Sequence, residues 1–237
     1  MRTPRRSGQQ FLRAVRGRGG YRAKAGRRPG RSSLRVPHVR RPDLTRHQAV
    51  HVTLHLCEGL PSLRRSRSSR LCEAVFRAER NRKGFRLVHY AIRSNHLHLV
   101  CEADQREALS RGMQRLASRL ARGLNAAAGR TGTVFRDRFH GRVISTPRQM
   151  RHVLSYVLLN EHKDRAHQGQ RVSGIDPYSS GRYFDGWADV EGSLPLDGER
   201  APPVTRARSW LLRSGWRRCD PGLLRTSERA APLPVRG

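Results

Sequence analysis

The chain has 237 residues, with 49 Lys and Arg against 18 Asp and Glu, a formal charge of +31 that is nearly all arginine. That balance suits a polyanion, since arginine matches phosphate bidentately and its binding releases counterions. Apolar residues make up 36% of the chain, which supports one domain of ordinary size. No apolar run approaches a membrane span, no secretory apolar region follows the basic N-terminus, and Cys57, Cys72, Cys101 and Cys219 form no C-x-x-C pair. These features argue against a membrane protein, a zinc ribbon and a disulfide scaffold, and point to a cytoplasmic protein.

Residues 1–44 are rich in Arg and Gly with almost no acid, and read as a disordered basic arm. Order begins near Gln48. Val50-His51-Val52-Thr53-Leu54-His55-Leu56 alternates and is β-branched, so it reads as the first strand. A helix is expected over residues 62–82, then a second strand from Phe85 to Arg93. In that strand Leu87, His89 and Ala91 are expected on one face and Val88, Tyr90 and Ile92 on the other. A short turn at Arg93-Ser94-Asn95 leads into a third strand, residues 95–101, paired antiparallel. A second helix over 105–127 carries Leu109, Met113, Leu116, Leu120 and Leu124 as its core stripe.

A fourth strand over 133–145 is dense in Arg136, Arg138 and Arg142, and Pro147 starts a third helix running to about His162. The order β-α-β-β-α-β-α predicts an α+β fold, a layer of helices on one face of an antiparallel sheet. This domain spans residues 45–165. An aromatic clasp follows over 166–190, with Tyr178-Ser179-Ser180 and Tyr183-Phe184-Asp185-Gly186-Trp187. Residues 191–237 read as a mostly irregular basic tail holding one short helix near Ser209, with a disordered end.

Two features carry chemistry. In Ser94-Asn95-His96-Leu97-His98-Leu99-Val100 the strand period puts His96 and His98 on one face, half of a divalent-metal site. On the third helix Met150, Val153, Leu154 and Val157 form the apolar face, and His152, Tyr156 and Asn160 form a stripe beside it. Tyr156 and Asn160 then project together, one turn apart. A tyrosine can attack a phosphodiester, and an amide oxygen suits a hard cation. Taken singly, a histidine pair and a helix tyrosine are more often structural. Together, on a chain of this charge, they point to phosphodiester cleavage. Arg93, Arg136, Arg138 and Arg142 are the candidate DNA contacts.

The pattern resembles the REP-associated tyrosine transposases, relatives of the IS200/IS605 single-strand transposases. The matching stretches are His51-Val52-Thr53-Leu54, Gly84-Phe85-Arg86-Leu87-Val88-His89-Tyr90, Ser94-Asn95-His96-Leu97-His98-Leu99, Gly112-Met113-Gln114, Val134-Phe135-Arg136-Asp137-Arg138-Phe139-His140 and Tyr156-Val157-Leu158-Leu159-Asn160. Tyr178-Ser179-Ser180 and Phe184-Asp185-Gly186-Trp187 extend the likeness, which covers about residues 45 to 190.

The resemblance implies a ferredoxin-like fold of the histidine–hydrophobe–histidine (HUH) endonuclease type. It implies His96 and His98 as metal ligands, Asn160 as the third ligand and Tyr156 as the nucleophile. The implied metal is magnesium or manganese, and the implied partner is single-stranded DNA with hairpins, bound by a monomer or a homodimer. The implied activity is that of an endonuclease and transposase, mobile or domesticated. One departure stands out: where the family often has proline after the asparagine, this chain has Glu161. Two other readings remain open: a non-catalytic nucleic-acid-binding module, and a replication initiator or relaxase of the same wider class.

Overall fold

In the computed structural model, residues 43–45, 48–167, 174–191, 201–219 and 222–228 are described, with the helix backbone alone over 160–167. The basic arm at 1–42 and the C-terminal end at 229–237 lie outside the described residues. Five strands form one antiparallel sheet: β1 (Gln48–His55), β2 (Asn81–Arg82), β3 (Phe85–Ile92), β4 (His96–Ala103) and β5 (His140–Ile144), in the order β2-β3-β4-β1-β5. The helices are α1 (Ser66–Glu79), α2 (Arg106–Ala127), α3 (Pro147–His167) and the single turn α4 (Trp210–Arg213). The fold is α+β, as the element order predicts. No helix among the described residues is long and apolar enough to cross a membrane.

Strand alternation builds two cores. Val50, Val52 and Leu54 of β1 and Leu97, Leu99 and Cys101 of β4 face α1 and α2. There they meet Cys72, Val75 and Phe76 of α1 and the stripe Leu109, Met113, Leu116, Leu120 and Leu124 of α2. Gly112 lets α2 settle on the sheet, because a Cβ there would lie 2.3 Å from the Phe85 ring. Ala49, Val88, Ala91, Val100 and Ile144 face the other way and are covered by Met150, Val153, Leu154 and Val157 of α3. The expected layer of helices is thus α1 and α2, while α3 closes the opposite face. Continuous sequence cannot reveal this, because an amphipathic helix reads the same on either side of a sheet.

Two details depart from the sequence reading. A β-bulge interrupts the β3–β4 ladder between Leu87 and His89. The extra residue shifts the frame, so Leu87, Tyr90 and Ile92 join the first core, while Val88 and Ala91 join the second. Tyr90 is therefore fully buried, and its hydroxyl donates to Glu73 Oε1 at 3.0 Å.

The segment after α3 is knitted to the sheet rather than trailing from it. Ile92 N–H donates to the Tyr178 carbonyl at 2.8 Å, and Thr205 N–H to the Leu87 carbonyl at 3.0 Å. The carboxylate of Glu102, fully buried on β4, accepts from Arg208 N–H at 2.8 Å and Ser209 N–H at 2.8 Å. Trp216 and Leu224 pack in the second core, and Glu228 accepts two bonds from Arg151 of α3, at 2.6 and 3.1 Å. The residues read as an irregular tail thus supply part of the core.

His89 sits in this seam. Ser180 Oγ accepts from Tyr90 N–H at 3.0 Å and shares a hydrogen bond with His89 Nδ1 at 3.2 Å. Burial holds the His89 pKa at about 4, against an ordinary 6.5. Between those values the unfolded chain binds a proton that the folded one refuses, so stability falls as pH drops. This group should remove about 3 kcal/mol between pH 6.5 and 4. Urea unfolding at pH 7 and pH 4.5 measures it, and His89→Gln should show a correspondingly smaller drop.

Candidate active site

The site lies on the sheet face under α3. Thr53 pairs with His98 and His55 with His96 across β1 and β4, so the polar face of β1 meets the histidine pair. His96 Nε2 lies 3.0 Å from His98 Nε2. His98 Nδ1 is 3.2 Å from His51 Nε2 and 3.4 Å from Thr53 Oγ1. His96 Nδ1 is 2.7 Å from Asn95 Oδ1. The His55 ring tilts against His96 with centroids 5.1 Å apart.

Tyr156 stands on α3 at the edge of its apolar stripe, half-buried. Its ring meets His98 edge-on at 5.0 Å between centroids, and His51 at 6.2 Å. The structure therefore brings His96, His98 and Tyr156 together. Asn160 lies one turn further along α3, and its side chain is outside the described residues.

The imidazoles are all neutral at pH 7. Burial, then the charges of His55 and Arg93, holds His96 at about 4. Burial, then His140 and Arg142, holds His51 at about 4. His98 is pushed well below 6.5 by burial, then by its histidine neighbours and Arg93. His55 is lowered by burial and by Arg136.

One tautomer set suits a cation. If the Asn95 carbonyl oxygen takes the His96 Nδ1–H, and His51 Nε2 and Thr53 Oγ1 share the His98 Nδ1–H, each ring keeps its lone pair on Nε2, and the two Nε2 atoms lie 3.0 Å apart. Such a pair fits a cation, and the outer partners orient the rings as in metal sites generally. Among the described residues no group of three or more His, Cys, Asp or Glu could hold a metal ion.

The four arginines fall at different distances from this centre. Arg93 closes the β3–β4 hairpin, its N–H donating to the His96 carbonyl at 2.9 Å. Its guanidinium is buried, and its field reaches His96, His98 and Tyr156. Beside it Arg64 bonds Asp176 at 2.8 Å and stacks over the Tyr178 ring at 4.4 Å. Arg142 is on β5 opposite His51. Arg136 and Arg138 are exposed in the segment before β5, which begins at His140 and not at Thr133. Sequence reasoning missed His51, Thr53, His55 and His140 as members of the site. The signal was present: His51, Thr53 and His55 alternate with Val50, Val52 and Leu54, and one polar strand face seeks another.

The fold is thus an antiparallel α+β sheet with two convergent histidines on one strand and a tyrosine on the covering helix. Residues 48–158 match the family described as transposase IS200-like. Among solved structures, the chain is similar to a REP-associated tyrosine transposase bound to a REP hairpin. That likeness has 15% identity and a TM-score of 0.45, covering 61% of this chain and 82% of the other. It is also similar to a protein of Deinococcus radiodurans R1 assigned as a transposase, at 12% identity and TM-score 0.37, covering 55% and 95%. No curated protein matches the chain.

Proposed function

We propose that the domain is a metal-dependent single-strand DNA endonuclease and strand transferase, working beside palindromic hairpins through a 5′-phosphotyrosine intermediate. The observation that carries this reading is the meeting of two neutral imidazoles and one tyrosine on a single sheet face. His96 and His98 would hold magnesium or manganese through Nε2, with Asn160 supplying an amide oxygen. The metal, when bound, would offset charge on the scissile phosphate and its transition state.

The chain's own groups do the rest. Tyr156 loses its phenolic proton, and its oxygen forms a bond to phosphorus as the bond to the 3′ oxygen breaks. The departing 3′ oxygen takes up a proton. The positive field of Arg93 favours the phenolate and so assists this step. Attack by another 3′-hydroxyl on the phosphotyrosine reverses the sequence and joins a new strand, with no external energy source. Arg136, Arg138 and Arg142 supply phosphate contacts along the route of the strand.

The test is direct. The protein is incubated with a labelled single strand containing a hairpin, with magnesium or manganese, and resolved under denaturing conditions. A covalent adduct is expected with the single strand and not with a fully paired duplex. Hairpin binding without an adduct under either metal would instead identify a non-catalytic DNA-binding protein.

A further inference from the structure

We propose that segment 206–218 is a second contact for single-stranded nucleic acid, in which an unpaired base stacks on Trp210 and neighbouring arginines take the flanking phosphates. This lies outside the residues that match the transposase family, and it rests on the single-strand reading above for its partner. Trp210 is 51% exposed, whereas Trp187 and Trp216 are buried. Tryptophan is a residue type enriched at binding surfaces, where it offers an apolar face and a polar N–H.

Trp210 is also rigidly mounted. The preceding residues are pinned by Glu102, which accepts from the backbone of Arg208 and Ser209. Ser209 Oγ accepts from Leu212 N–H at 3.3 Å and caps the turn. Leu212 and Trp216 anchor it in the core, and Trp216 Nε1–H donates to the Leu212 carbonyl at 3.2 Å. The indole rests against Gly215, where a Cβ would lie 2.8 Å from the ring. A ring held this way loses little freedom when a base stacks on it.

The surroundings choose the partner. Between residues 201 and 219 there are five arginines and no Asp or Glu: Arg206, Arg208, Arg213, Arg217 and Arg218, of which Arg217 pairs with Asp185 at 3.2 Å. The Arg218 guanidinium lies 5.3 Å from the Trp210 ring centroid. Aromatic platforms set among cations bind single strands with little sequence preference, because every base has a stacking face. Glu102, which pins this segment, is on the same face of β4 as His96 and six residues along it. That is about 20 Å from His96 and about 13 Å from His98, or about four to six nucleotides at stacked spacing.

The probe is an unstructured oligo(dT), followed by tryptophan fluorescence and by a binding titration at several salt concentrations. Oligo(dT) should quench the exposed indole, and Trp210→Ala should abolish the quench and weaken binding about tenfold. Trp210→Phe, which keeps a smaller ring, should lose less. Gly215→Ala, which displaces the indole without removing it, should weaken binding too. Replacing Arg213 and Arg218 together by Ala should lower the salt slope by about 1.4, whereas Trp210→Ala should leave it unchanged.

Wild-type oligo(dT) affinity in both Trp210→Ala and Trp210→Phe would overturn the proposal. So would an equal loss on duplex DNA, or quenching by anionic vesicles and not by oligo(dT), which would make the patch a membrane contact. The covalent adduct at Tyr156 separates the two readings. Trp210-dependent oligo(dT) binding without any adduct sustains this contact and removes the catalytic reading. An adduct with Trp210-independent binding does the reverse.

Discussion

Tyr156→Phe should abolish the covalent DNA adduct and leave hairpin affinity within about twofold of wild type. Removing the nucleophile of a covalent enzyme costs on the order of a millionfold in rate, so no residual adduct should be visible. The substitution removes one oxygen and keeps the ring. The edge-on contacts with His98 and His51 therefore persist, as does packing against the second core. The measurement is adduct yield on denaturing gels beside a binding titration of the same preparation. An adduct that survives would move the nucleophile elsewhere, and the described residues offer no ready substitute. Tyr90 is buried on the opposite face with its hydroxyl on Glu73. Burial and that carboxylate push its pKa up, so it makes a poor phenolate. Tyr178 and Tyr183 pack against the first core, and Tyr178 lies under Arg64.

Replacing His98 by Ala should remove both cleavage and measurable manganese binding, and replacing His96 should do the same. Replacing His51 by Phe should weaken manganese binding by about 10- to 100-fold, the usual effect of losing a partner that orients a ligand. The contrast follows from geometry. His96 and His98 present facing Nε2 atoms, whereas His51 reaches the centre only through His98 Nδ1. Calorimetric titration with manganese checks this, with circular dichroism as the folding control. The fold should persist in each variant, because Leu97 and Leu99 hold β4 through the other face. Unchanged manganese affinity in His98→Ala would sink the ligand assignment. Equal losses in His98→Ala and His51→Phe would make His51 a ligand in its own right.

The helix and strand periods were readable because they are local. Alternation in β1 and β4 and the leucine stripe of α2 each reflect one element facing one core. The same alternation put His96 and His98 on one face, and the helical period put Tyr156 beside the apolar stripe of α3. Charge made a polyanionic partner the natural expectation. Three matters required the tertiary structure.

The side of the sheet on which α3 lies depends on the crossover after β5, and it alone brings Tyr156 to the histidines. The frame of β3 depends on a bulge, which inserts a residue without changing local composition, and it sends Tyr90 into the core. The role of residues 201–228 depends on partners more than a hundred residues away in sequence, such as Glu102 for Ser209. Element types, catalytic candidates and charge could be read residue by residue, because they are properties of chain neighbours. Which faces meet, which imidazole lies against which, and the place of the basic C-terminal segment in the core could not, because they depend on long-range packing.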